Sequence, residues 1–101
     1  MKQVLTIPDA WQNTAALFIA LGDAHRQRIL LAFEVNERLS TLQIIAASSL
    51  SRTAVTHHLK ILQTSGALQS EKIGKEVFFW VDKVFITNAL QLVLTYIDTE
   101  I

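Results

Sequence analysis

The chain has 101 residues, a formal net charge of zero and no cysteine, which fits one domain, 1–101, and excludes disulfides, thiolate metal centres and thiol redox switches. Half of the residues are apolar, and so short a chain buries only a limited share of its surface alone, so some apolar surface is expected to face a partner. The apolar runs are interrupted well short of the ~20 residues of a membrane span, and the start Met1, Lys2, Gln3, with Pro8 and Asp9 soon after, lacks the parts of a secretory leader; a cytoplasmic protein is expected.

Pro8 suits a first helical turn, and a helix is predicted from Asp9 to Leu21 with Trp11, Ala15 and Phe18 on one stripe and Leu17, Ile19 and Ala20 on the other. Such a helix, apolar nearly all round, needs cover on two sides. Gly22 and Asp23 break it, and Asp23 is the expected N-cap of a second helix, Ala24 to Val35. There Ile29, Leu30 and Phe33 point inward, and Arg26 and Arg28 lie near the start. Ser40 or Thr41 caps a short third helix carrying Leu42, Ile45 and Ala46 at i, i+3 and i+4. A tight connection, Ala47 to Leu50, leads to a fourth helix capped by Ser51 and ended by Gly66, a C′ glycine.

After Gly66 the period changes to two. Strands are predicted from Ala67 to Ile73 and from Val77 to Val81, joined by a Gly74-Lys75 hairpin turn with glycine first. Asp82 caps a last helix reaching about Asp98, again with more apolar surface than one face holds. The predicted fold is mostly α with a β-hairpin wing, in the order α-α-α-α-β-β-α, which is a winged helix-turn-helix arrangement.

A neutral chain is a poor DNA ligand in sum, because phosphate neutralisation dominates affinity. Its distribution is uneven, however. From Arg52 to Lys75 the charges are Arg52, Lys60, Lys72 and Lys75 against Glu71, with His57 and His58 among them, while Asp9, Asp82, Asp98 and Glu100 lie near the ends. On the fourth helix Val55, Leu59 and Leu62 form the inward stripe; Thr53, Thr56, His57, Lys60 and Thr64 form the outward one. A solvated surface helix also shows an outward polar stripe, but usually mixes signs, and no Asp or Glu occurs from Ser51 to Ser70. Short hydroxyls, an imidazole and an amine can meet base edges and phosphates, and Arg52 in the first turn can pair with guanine O6 and N7. The expected DNA contacts are therefore Ser51, Arg52, Thr53, Thr56, His57, His58 and Lys60, with Lys72 and Lys75 at the hairpin tip. His58 lies three residues after Val55, at the edge of the buried stripe. It reads first as a half-buried histidine with a hydrogen-bond partner and second as a phosphate contact. His25 reads as a surface residue.

The stretches Leu21 to Leu30 (LGDAHRQRIL), Leu50 to Leu62 (LSRTAVTHHLKIL), Thr64 to Leu68 (TSGAL) and Gly74 to Phe79 (GKEVFF) resemble, in order and spacing, the motifs of the ArsR/SmtB family of bacterial repressors. The resemblance covers about Leu17 to Val81. It implies a DNA-binding repressor working as a homodimer joined through its first and last helices. Trp11, Ala15, Phe18, Phe85, Leu90, Val93, Leu94 and Ile97 are the expected interface residues.

The departures bear on sensing. Where many members carry a cysteine motif on the third helix, this chain has Leu39 to Ala46 with no thiolate or carboxylate. Where others place an Asp and three His on the last helix, it has Asp82 and Asp98 but Val84 and Thr95 at imidazole positions. Two carboxylates without an imidazole make a poor transition-metal site. Adjacent His57 and His58 point about 100° apart on a helix and chelate one ion poorly. No metal, no cofactor and no enzyme are expected: no nucleophile-base motif or phosphate-binding glycine loop is present. The partners expected are double-stranded DNA and a second copy of the chain. The alternatives are a winged-helix protein-interaction module, which would carry exposed apolar residues on the fourth helix, and a metal-sensing repressor with a non-standard site.

Overall fold

The chain's own punctuation sets the element boundaries in the computed structural model, which describes residues 6–101. The Met1–Gln3 start, on which the no-leader reading falls, lies outside the described residues. Pro8 opens a single 3₁₀ turn, Asp9–Trp11, and helix α1 follows at Thr14–Leu21. The unbroken Asp9–Leu21 helix expected from the sequence is therefore two pieces. The Thr14 hydroxyl donates to the Trp11 carbonyl at 2.6 Å, one of the local side-chain bonds by which Thr and Asn compete with helix continuation. Helix α1 buries Thr14, Leu17 and Ala20.

Asp23 caps α2, Ala24–Leu31, accepting the amides of His25 and Arg26 at 2.8 and 3.2 Å. The sequence suggested a run to Val35. The helix stops earlier because Leu31 and Val35 both face solvent and add no burial, and Asn36, at φ 59°, turns the chain in the left-handed region that Asn tolerates.

Strand β1 (Leu39–Ser40) was not foreseen; a two-residue strand has no period to read. Ser40 then caps α3 (Thr41–Ala47) in a capping box: the Gln43 amide donates to Ser40 Oγ at 3.1 Å and the Ser40 amide to Gln43 Oε1 at 2.8 Å. This joint fixes the helix's rotation. Ile44 is its core residue at 2% exposure, whereas Leu42, expected inward, is 52% exposed; Ile45 is half-buried and Ala46 exposed.

Ser48–Leu50 lead into α4, Arg52–Thr64. It ends at Ser65, and Gly66 adopts φ 90° in the expected C′ role. The hairpin pairs β2 (Leu68–Ile73) with β3 (Glu76–Val81), Ile73 opposite Glu76. Gly74 supplies the positive φ, 62°, at the first turn position. The sheet order is β1-β3-β2. Asp82 caps α5, Lys83–Glu100, by accepting the Phe85 amide at 3.1 Å. Leu17, Ile29, Ile44, Val55, Leu59, Leu62, Leu68, Phe79 and Ala89 form one core where α1 to α4 meet the sheet and the start of α5.

Candidate nucleic-acid interface

Helix α4 stands out from this core as a two-faced rod. Val55, Leu59 and Leu62 are buried, and Arg52, Thr53, Thr56, His57, Lys60 and Thr64 are exposed. Ser51, at its N-cap, is committed to the Ala54 amide at 3.1 Å, which sets the first turn from which Arg52 and Thr53 project. The unpaired amides of that turn give it a partial positive charge. A phosphate would thus meet aligned N–H groups, an arginine and hydroxyls on one surface.

The wing extends this surface. Lys72 and Lys75 are exposed at and beside its tip, with Ile73 exposed between β2 and the turn. Glu71, the one acid of the basic segment, is paired with Arg38 at 2.8 Å, and the same guanidinium stacks over Trp80 at 3.9 Å. Arg38 thereby offsets Glu71, while exposed Glu76, next to Lys75 at the turn, leaves the tip a net positive charge of one. Gln63 on α4 donates to Ser70 on β2 at 2.7 Å, tying helix to wing.

The nine residues expected to contact DNA are distributed unevenly. Arg52, Thr53, Thr56, His57 and Lys60 share the outward face of α4; Lys72 and Lys75 stand on the wing. His58 points away from that face. It is half-buried, and its Nδ1 lies 3.1 Å from Nη1 of Arg26. Burial holds its pKa below the ordinary imidazole value, with the charges of Arg26, His25 and His57 acting in the same direction and Asp23 opposing. From sequence alone Arg26 reads only as a basic residue near a helix start, and Arg38 has no assigned role. For Arg26 the available signal was its place three residues after a capping aspartate, on the same helical side as Ile29.

The residues expected at a dimer interface also divide. Phe18, Leu94 and Ile97 are exposed, Leu90 and Val93 are half-buried, and Ala15 is exposed. Trp11 packs edge-on against Tyr96, ring centroids 5.3 Å apart. Phe85 turns into its own core instead, under Gly66. Ile19, Leu92 and Tyr96, not singled out from sequence as interface residues, join the exposed apolar set.

Residues 23–69 match the family described as winged helix-turn-helix DNA-binding, and the match spans α2 to the start of β2. A transcriptional repressor, the SmtB homologue of Synechocystis sp., is 26% identical over 96 residues, 95% of this chain and 71% of the relative. A solved ArsR-like transcriptional regulator from Rhodococcus sp. RHA1 superposes with a TM-score of 0.78 at 25% identity, covering 94% of this chain and 85% of that one. The homodimeric winged helix-turn-helix DNA-binding domain from Mycobacterium bovis superposes at 0.71, with 17% identity, over 97% of this chain and 90% of that one. The chain is thus a winged helix-turn-helix protein, with α3 and α4 as the helix-turn-helix and β2-β3 as the wing. Within that class, the relatives and solved structures it resembles are transcriptional regulators of the ArsR/SmtB type.

Proposed function

We propose that the protein is a homodimeric transcriptional repressor that reads a pseudo-palindromic operator in duplex DNA. The observation that carries this reading is the outward face of α4: exposed Arg52, Thr53, Thr56, His57 and Lys60, with no acid from Ser51 to Ser70. In the expected docking, the N-terminal turn of α4 enters the major groove. Arg52, Thr53, Thr56 and His57 meet base edges, and Lys60, Lys72 and Lys75 meet phosphates as flexible point charges.

The dimer is built from α1 and α5. Phe18 and Ile19 on α1 are 45% and 68% exposed, and Leu92, Leu94, Tyr96 and Ile97 continue the apolar surface on α5. Leaving it in water costs about 25 cal/mol per Å². The radius of gyration, 15.7 Å, exceeds the ~13 Å of a compact chain of this length, as expected of a protomer whose α5 lies against a partner. The homodimeric state of the Mycobacterium bovis domain agrees with this reading.

Resident metal or cofactor is not part of the proposal. The Asp82 carboxylate is engaged by the Phe85 amide and by Gln69 Nε2 at 3.0 Å, and neither Val84 nor Thr95 supplies an imidazole.

Selection of bound duplexes from a random pool tests the reading. The expected result is an enriched sequence with two inverted half-sites one helical turn apart, about 34–36 Å between recognition helices. A pool that never enriches would count against DNA readout and favour the protein-interaction alternative.

A further inference from the structure

We propose that Arg26 and His58 form a positioning joint that sets the recognition helix α4 against the dimer-forming helix α1, and that the joint holds only while the His58 imidazole is neutral. The inference rests on the DNA-binding and dimer readings above.

Arg26 is 9% exposed and, among the described residues, the one charged side chain that is buried. Its guanidinium spans three partners. Nε donates to the Ala20 carbonyl at 2.8 Å and Nη2 to the Ile19 carbonyl at 3.1 Å. These belong to the last turn of α1, whose carbonyl end favours a cation, and the Ile19 carbonyl also accepts the Gly22 amide at 3.3 Å. Nη1 reaches His58 Nδ1 at 3.1 Å, across 32 positions of sequence. A rigid planar fork thus links the end of α1 to the middle of α4.

The chemistry of the third bond is one-sided. A guanidinium has donors only and does not lose its proton in proteins. His58 Nδ1 must therefore be the acceptor, and its proton must sit on Nε2. A proton added at Nδ1 would face an N–H, and a second cation would stand beside the first. The half-buried site already disfavours the charged imidazole.

The charged and titratable groups around His58 come from α2, the turn before it and α4 itself. From α2, His25 stands with its ring centroid 5.8 Å from that of His58, itself 2.9 Å from an Arg28 nitrogen through Nδ1. From the turn before α2, the Asp23 carboxylate lies 4.0 Å from Arg26 Nη1. On α4, the His57 ring is 5.9 Å from that of His58. Helices α1 and α3 carry no titratable side chain. Asp23 alone favours a charged His58, against two imidazoles and Arg26.

The route of action is short. Ile19, whose carbonyl Arg26 holds, is on the proposed dimer face; His57, next to His58, is on the proposed DNA face. Protonation of His58 breaks the link between them and lets α4 settle out of reading position.

The test compares wild type with His58→Asn and His58→Leu. Asn presents Oδ1 as a non-titrating acceptor, and Leu removes the acceptor. Affinity for the selected operator is measured at fixed salt from about pH 8 to about pH 5, across the ordinary imidazole range, with circular dichroism recording the folded fraction. Wild type should lose on the order of tenfold in affinity toward the acid end. His58→Asn should hold its affinity, and His58→Leu should start roughly tenfold weaker and stay flat. A His58→Asn profile that parallels wild type overturns the proposal, as does a folded His58→Leu that binds like wild type. Should His58→Leu fail to fold, the Asn comparison decides alone. Failure of the DNA reading looks different: wild type and His58→Asn would both be silent on every duplex at about 50 mM salt, and the joint would fall with it.

Discussion

The Phe85 ring lies directly beneath Gly66, so that a methyl group built on the glycine would sit 2.7 Å from Phe85 Cε1 and 2.9 Å from Cζ. Gly66 also holds φ 90°, a conformation that side chains rarely adopt. Helix α4 thus ends where the first turn of α5 presses up against it. Gly66→Ala should destabilise the fold by about 2–4 kcal/mol, through backbone strain and overpacking together. Urea unfolding checks this; an unchanged midpoint would contradict both the strain at φ 90° and the close approach of Phe85.

Stability should respond to pH in two steps. His58 has a lowered pKa in the fold because of burial first, so the unfolded chain binds its proton more readily. Its contribution is full above the ordinary imidazole value of about 6.5 and is lost as pH falls from there through the folded value. Asp23 is also lowered, first by the hydrogen bond from the Arg26 amide. Its contribution is full above about 3.9 and disappears below that. Denaturant midpoints across this range should fall in the upper step first, and His58→Asn should remove that step alone. A midpoint that rises on acidification through about 6.5 contradicts the account of His58.

Sedimentation at micromolar concentration should show dimer. Ile97, 48% exposed in the protomer, can be changed without disturbing the core, so Ile97→Glu should give a folded monomer with weakened operator binding. A wild-type monomer, or an Ile97→Glu dimer indistinguishable from wild type, removes the α1/α5 interface from the account.

The wing lysines should act without regard to sequence. Lys75→Ala should weaken operator and scrambled DNA about equally and reduce the salt slope by about one per charge removed from the complex, hence about two in the dimer. A loss confined to the operator would instead make Lys75 a base reader.

Much of this was legible in the residues. Asp23, Ser40, Ser51, Gly66 and Asp82 each announce a boundary by the hydrogen bond or backbone angle they supply, and the change of period after Gly66 announces the wing. What failed depended on distant partners. Leu42 and Ile44 are equally apolar on a seven-residue helix, and only the Ser40–Gln43 capping box and the β1–β3 pairing decide which faces inward. Phe85 reads as interface because α5 is apolar all round, until Gly66 opens a slot for it. Arg26 and His58 are separated by 32 positions, and no local pattern connects an arginine on α2 to a histidine on α4. The outward stripe of α4 was readable because a single helix determines it.

The central claim is that α4 reads sequence through its first turn, and Arg52→Ala tests it most directly. Arg52 is exposed and outside the core, so the variant should fold as wild type. Binding of both proteins to the selected operator and to a scrambled duplex, across a salt series, separates base readout from phosphate attraction. The account predicts a loss of roughly 1–3 kcal/mol on the operator, with relaxed preference at one base pair in each half-site and a much smaller loss on scrambled DNA. Equal losses on both duplexes, with operator preference intact, would contradict it.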